Sequence, residues 1–418
     1  MTSALKTRRA LLFSTTTLVL SAALIFTSNH VQNNSLAILL LLFCVVIAPF
    51  LFIPLFYSRV IRSKSSKLFC GGVILLYTFY LLELFSLILI PYKSKFDQGL
   101  LDEARKRYPY IEFKGDSIFN RAIKYPEKKQ IQPKAPLEYR IFLLGGSTVT
   151  GGNPPISEII QHKFLEAGYS NVYVYNMGVI SSNVNMELAR VVYEVSDYSP
   201  DLIIFYDGGN DIISPYTDDP RPGYPFNFCA YEKNVFFNVN NYPAIALIAY
   251  KSNLLRVLFK DYFANQFGNQ NQLRKQVNYL SESWENEIAQ NYVSAIYKTD
   301  KIAKAFGAEF AVFLQPMVYY KNMCSASTEN IWKMQDSSQY FYNLRLRKKI
   351  LNRVDSVSIA DFFDLTSIYN NDTTEYFIDC IHTNQSGIEI VANNIFNTIS
   401  KHYAVPKPTL LESLPEKK

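Results

Sequence analysis

Asp379-Cys380-Ile381-His382 places a carboxylate three residues before one of only four histidines in 418 residues. Imidazole takes and returns a proton near neutral pH. A carboxylate on its other ring nitrogen fixes the tautomer and stabilises the imidazolium formed during acyl transfer. Such a pair needs a nucleophile and oxyanion donors. In Gly145-Gly146-Ser147-Thr148 two glycines let the backbone turn sharply and expose a serine hydroxyl, and a following helix can offer N–H groups to an anion. Asn176-Met177-Gly178 and Asp207-Gly208-Gly209-Asn210-Asp211 each add a glycine for close backbone approach and a polar group. An oxyanion hole aims donors of that kind at developing negative charge. Singly, these are the residues ordinary turns use. In succession, with the acid–histidine pair after them, they make up a set for nucleophilic acyl transfer.

The elements that must position this set alternate. Apolar strands are expected at Tyr139–Leu144, Val172–Tyr175, Leu202–Tyr206, Phe310–Leu314 and Val357–Phe362. Helices are expected at Ser157–Ala167, Asn185–Val195, Trp284–Phe306 and Gly387–Lys401, the third with apolar residues at Trp284, Ile288, Tyr292 and Ile296 and a stop at Gly307. Near-continuous apolar strands alternating with helices predict an α/β fold with a parallel sheet covered on both faces. Ligands then bind at the carboxyl ends of the strands, where each of the polar motifs falls.

The order Gly-x-Ser, Gly, Gly-x-Asn-Asp, Asp-x-x-His resembles the four blocks of the SGNH (GDSL-like) hydrolases, of a membrane-anchored bacterial type, over about Tyr139 to Lys401. The resemblance implies a flavodoxin-like three-layer α/β/α domain on a mainly parallel five-stranded sheet. It also implies roles: Ser147 as nucleophile, His382 as general base, Asp379 as its orienting partner, and the Ser147 N–H, Gly178 N–H and Asn210 side chain as the oxyanion hole. One position departs from the family's usual Gly-Asp-Ser: Gly146 stands where the acid would be, which bears on the rigidity of the turn. Gly115-Asp116-Ser117 copies the usual spelling but lies in a charged stretch with no strand expected to run into it. Ser117 is 61 residues before Gly178, whereas Ser147 is 31 before, the span of one strand–helix–strand unit.

Three apolar runs, 10–27, 35–57 and 68–92, precede this domain, and the last two are each long enough to cross a bilayer. The first, which follows Lys6, Arg8 and Arg9, also suits a signal-peptide core. Arg59, Arg62, Lys64 and Lys67 lie between the second and third runs, while the loop His30–Asn34 carries no fixed charge. The positive-inside rule then puts the N-terminus and the second loop in the cytoplasm and everything after Tyr92 outside. The expectation is a multi-pass protein of the cell (inner) membrane with a periplasmic catalytic domain. Its parts are a membrane region 1–92, a juxtamembrane linker 93–135, a domain 136–405 and a tail 406–418. A lid or substrate-binding insertion, 213–283, is rich in Tyr, Asn, Pro and Phe; insertions of this length usually cover a site.

The net charge of +6 belongs to residues 1–92, which hold seven Lys/Arg and the single acid Glu83; the remainder balances at 35 against 35. A neutral outer domain has no electrostatic footprint for nucleic acid. Cys/His spacing for zinc and a phosphate loop ending in Lys-Ser/Thr are both lacking, so neither a metal nor another cofactor is expected. Cys229, Cys324 and Cys380 allow one disulfide at most, and Cys380 reads as a packing residue. His162 and His402 read as solvated surface residues. The resulting expectation is a serine esterase acting through an acyl-serine on O-acyl esters, O-acetyl first among them, of an envelope glycan. Its partners would be the bilayer and a membrane partner such as an acyltransferase. An O-acyltransferase moving the acyl group to a sugar hydroxyl, and a non-catalytic glycan-binding assembly subunit, stand as the alternatives.

Overall fold

The computed structural model describes residues 105–108, 112–115, 133–226, 228–229, 252–258, 270–324, 328–334, 336–357, 359 and 361–407, together with Thr78, Phe79 and Leu82. The three apolar runs, apart from those last residues, lie outside the described residues, as do Glu83, Asp116, Ser117 and the tail beyond 407. Among the described residues no helix is long and apolar enough to cross a membrane. The chain divides into two compact units, one of Met1–Phe96 with Lys233–Gly268 and one of Asp97–Glu232 with Asn269–Lys418. The middle of the 213–283 insertion is therefore grouped with the N-terminal region. What is described of the first unit beyond Thr78, Phe79 and Leu82 is Ser252 and a short helix, Asn253–Leu258.

In the second unit, strands β1 (Arg105–Tyr108) and β2 (Glu112–Gly115) pair antiparallel. This corrects two expectations: the stretch read as a linker contains a ladder, and a strand does run into Gly115. The ladder is separate from the main sheet, which comprises β3 (Tyr139–Gly145), β4 (Val172–Asn176), β5 (Leu202–Asp207), β6 (Glu309–Leu314) and β7 (Phe362–Asp364). All neighbours are parallel and the order is β4-β3-β5-β6-β7, the flavodoxin-like winding. Strands β3 and β5 are buried along their whole length, and β6 along all but its first residue; the edge strands are only partly covered. That is the pattern expected of a sheet with helices on both faces.

The connections carry helices α1 (Ser147–Thr150), α2 (Ile156–Glu166), α3 (Val184–Tyr193), α4 (Gly209–Thr217), α5 (Asn253–Leu258, in the first unit), α6 (Gln270–Gln276), α7 (Glu282–Ala305), α8 (Thr328–Met334), α9 (Ser337–Val357) and α10 (Gln385–His402). Helix α2 packs with α10, and α3 and α9 pack against α7, which places two helical layers on opposite faces for right-handed crossovers. Helix α7 begins where the Ser281 side chain accepts from Trp284 N, and the chain turns out of it at Gly307 with φ +77°. The fifth strand differs from expectation. Val357 ends α9, and the strand is the three residues Phe362–Asp364.

Candidate active site

Register alone brings the motifs level. Leu143 lies opposite Asn176, Gly145 opposite Tyr206, and Asp207 opposite Leu314, so β3, β4 and β5 release their chains at one rim of the sheet. At Gly145, φ is +155° and a Cβ would lie 2.3 Å from Tyr206 O, so glycine is needed for both the angle and the contact. Beyond the sheet Met177 N donates to Leu143 O at 2.8 Å and Val179 N to Gly145 O at 2.9 Å, which lays Met177-Gly178-Val179 beside the β3 turn. Ser147 then opens α1.

Ser147 and His382, 235 positions apart in the chain, are joined by a 2.6 Å hydrogen bond between Oγ and Nε2. His382 Nδ1 is 2.6 Å from Asp379 Oδ2. With the proton held on Nδ1 by that carboxylate, Nε2 accepts from the serine hydroxyl, the tautomer a general base needs. Asp379 is fixed in turn by its other oxygen, which accepts from Ile381 N at 2.8 Å and His382 N at 2.7 Å. Burial pushes the Asp379 carboxyl up, but the His382 ring and those two backbone N–H groups outweigh it and hold it below its ordinary value. Burial, with the Asp379 charge, pushes the Cys380 thiol up to about 11, which suits a packing residue and not a nucleophile.

Asn210, half-buried in the first turn of α4, donates through Nδ2 to Ser182 O at 2.7 Å. An amide nitrogen carries two hydrogens, so one is left for an oxyanion. The same Nδ2 lies 2.3 Å from where a Cβ on Gly146 would stand. This accounts for glycine where the family's usual acid would be: Asn210 occupies that space. Gly178 departs from expectation, because its N–H donates to Asn176 Oδ1 at 3.0 Å. The Asn176 amide nitrogen is itself tied to Val149 O at 3.0 Å and Ser157 Oγ at 3.1 Å. Of the expected oxyanion donors, Gly178 therefore has its N–H turned onto an internal acceptor.

Several polar side chains not singled out by sequence surround this rim. Arg190, wholly buried on α3, pairs with Glu194 at 2.8 Å and donates to Met177 O, holding the loop that carries Gly178. Thr148 Oγ1 donates to Gln315 Oε1 at 3.2 Å at the end of β6. Beneath Asn210, Glu187, Asp207 and Asp211 form a buried acid cluster. Tyr292 Oη donates to Asp207 Oδ1 at 2.6 Å, and Val184 N donates to Asp211. Burial, with the charges of Asp207 and Asp211, pushes the Glu187 carboxyl well up, and burial pushes Asp207 up to about 6. A cavity of about 110 Å³ opens beside Ser147 and His382, walled by Ile156, Tyr206, Ile388 and Val391. His162 and His402 are exposed, and the described cysteines are free thiols. Among the described residues no group of His, Cys, Asp and Glu has the arrangement of a metal site.

Residues 141–395 match the model of the GDSL-like Lipase/Acylhydrolase family. No curated protein matches the sequence. Similar solved structures include an acetyl xylan esterase, AlAXEase, at 13% identity over 62% of this chain and 99% of that one, with TM-score 0.36. A lipase/acylhydrolase from Enterococcus faecalis is 14% identical over 62% and 95% of the two chains, with TM-score 0.35. The acetylxylan esterase Axe2 from Geobacillus stearothermophilus is 11% identical over 66% and 100%, with TM-score 0.37.

Proposed function

The chain belongs to the GDSL-like lipase/acylhydrolase family, and from that premise we propose that it is a membrane-anchored serine esterase of the cell envelope, removing short O-acyl groups from a surface glycan. Ser147 Oγ attacks the ester carbonyl as His382 Nε2 takes its proton, and Asp379 stabilises the imidazolium. Asn210 Nδ2 and the Ser147 N–H receive the oxyanion, and the Gly178 N–H joins them once it leaves Asn176. The imidazolium gives its proton to the sugar oxygen, which leaves as a hydroxyl. His382 then takes a proton from the water that attacks the acyl-serine and passes it to Ser147 Oγ as the acid departs. The observation that carries this reading is the line of two 2.6 Å bonds from Ser147 through His382 to Asp379.

Three further features support it. The cavity of about 110 Å³ beside the serine has apolar walls and suits a short acyl chain; an engineered cavity of about 150 Å³ holds benzene. Tyr224, 39% exposed, lies on a segment hung from Asn183, the neighbour of the Ser182 that holds Asn210. The Arg221 guanidinium sits 3.7 Å over its ring, an aromatic and polar surface suited to a sugar. The membrane anchor rests on the apolar runs and the cationic loops described above.

Labelling the full-length protein with a serine-reactive fluorophosphonate tests the chemistry. Labelling lost in Ser147→Ala and in His382→Ala is expected; labelling that survives Ser147→Ala sinks the assignment. Acetate release from acetylated glycans, with and without an acceptor sugar, then separates hydrolysis from transfer.

A further inference from the structure

The turn bearing Asp379 and His382 is closed upon itself. Phe377 bridges to Thr383, Ile378 N donates to His382 O at 2.9 Å, and Asn384 N donates to Tyr376 O at 2.7 Å. Nothing in those bonds says where the turn stands relative to Ser147. That position is supplied from outside: on one side Gln385 accepts from Asn153 N at 2.9 Å and donates to Pro154 O at 3.0 Å, and on the other the segment after β6 holds the turn. Val318 N donates to Cys380 O at 3.1 Å, at the middle of the turn. At its base, Glu329 Oε1 accepts from both Tyr376 N at 2.7 Å and Phe377 N at 3.0 Å. Its other oxygen, Oε2, is 2.7 Å from Lys321 Nζ, which also donates to Thr374 O. Lys321 is held in turn through its carbonyl, which accepts from Lys333 Nζ, and its ammonium lies 5.2 Å from the centre of the Tyr376 ring.

The two side chains are 0% and 1% exposed, the most deeply buried ion pair among the described residues. Burying an ion pair gains little stability over apolar residues of equal volume, whereas removing one partner leaves an uncompensated charge. Here each carboxylate oxygen is committed, one to the backbone of the His382 turn and the other to the lysine that grips the same stretch. The arrangement spends its bonds on location.

We propose that the buried Lys321–Glu329 pair is a positioning clamp for the general base, setting the His382 imidazole at hydrogen-bond distance from Ser147 without touching substrate. The proposal rests on the reading of Ser147, His382 and Asp379 as the catalytic set. A displacement near 1 Å at a reacting centre costs on the order of 10²-fold in rate, so the clamp acts on kcat and not on substrate affinity.

The test uses full-length protein in detergent, with p-nitrophenyl acetate turnover and fluorophosphonate labelling of Lys321→Met, Glu329→Gln and the double variant. Endpoint labelling counts intact sites, so turnover is expressed per labelled serine. Each single variant is expected to lose about 10–100-fold in kcat per labelled site, with KM within about twofold and the labelling rate falling in parallel. The double variant recovers the part of the loss that an unpaired charge causes, because the glutamine oxygen still accepts from Tyr376 and Phe377, but the Lys321 bond to Thr374 O stays lost. The double variant also keeps the test open where a single variant does not fold: its kcat per labelled site is expected to stay several-fold below wild type at unchanged KM. A kcat per labelled site within twofold of wild type in a folded single variant or in the double variant, or a loss carried by KM alone, overturns the clamp. Absence of labelling in the wild type overturns the catalytic reading beneath it, and the clamp with it.

Discussion

Ser147, His382 and Asp379 stand in one hydrogen-bonded line, yet the Asn210 side of the same serine, where the proposed oxyanion would sit, is set by a contact that involves no charge. Asn210 Nδ2 rests against Gly146, where any Cβ would come within 2.3 Å. The amide is the end of a flexible side chain, so a larger residue at 146 displaces Asn210 without unfolding the turn. Gly146→Asp, which writes the family's usual spelling into this chain, is expected to lower kcat by about 10²-fold, the cost of one oxyanion donor. Asn210→Ala is expected to do the same, and the two losses should not add, because both remove one interaction. Steady-state kinetics of the two singles and the double check this; additive losses would show that Gly146 acts elsewhere.

At the scale of elements, the carboxyl ends of β3, β4 and β5 and the first turns of α3 and α4 form a floor of buried polar groups. Glu187 on α3 faces Asp207 at the end of β5 and Asp211 on α4, with Tyr292 of α7 donating from below. The hydrogen bonds that reach this cluster, from Tyr292 to Asp207 and from Val184 N to Asp211, come from neutral donors. Its signature is a pH dependence of stability. The folded Asp207 carboxyl is raised to about 6, mainly by burial, so its contribution is fully present below the ordinary carboxylate pKa of 3.8 and is lost as pH rises through about 6. Asp207→Asn keeps the acceptor for Tyr292 and cannot ionise. Relative to wild type, its melting temperature is therefore expected to rise between pH 4 and pH 7. A difference that stays flat across that window would mean Asp207 is charged in the folded state throughout. Asp207 and Asp211 stood in the third strand-end motif, but the cluster itself was not legible, since Glu187, Asp207 and Tyr292 lie 20 to 105 positions apart and nothing local pairs them.

At the scale of the whole molecule, charge and hydropathy divide the chain. Residues 1–92 carry the entire net charge of +6, and the remainder is balanced. On the membrane reading, the full chain is expected in the membrane fraction, resistant to alkaline wash and released by detergent, with the Ser147 domain open to protease added from the extracytoplasmic side. Release by alkaline wash alone, or cleavage only from the cytoplasmic side, would sink the topology. The folded domain was legible where a local rule governs. Fully apolar stretches became β3, β5 and β6 because strands covered on both faces need no alternation. The weakest element was misplaced for the same reason. Strand β7 is three residues pairing with β6 alone, too short to show a period. Its neighbour α9 buries only a narrow stripe at Tyr342, Leu346, Ile350 and Val354 among cationic residues.

The order Ser147, Gly178, Asn210, Asp379, His382 and the parallel sheet beneath it were determined by sequence, because sharp turns, caps and strand periodicity act over a few residues. Tertiary structure decided what those groups do with their hydrogen bonds. It tied the Asn176 amide beneath Gly178 to Val149 and Ser157, filled the space above Gly146 with Asn210, and hung the His382 turn on Glu329. Hydrogen-bond partners and desolvation depend on distances between residues far apart in the chain, and no local pattern carries them.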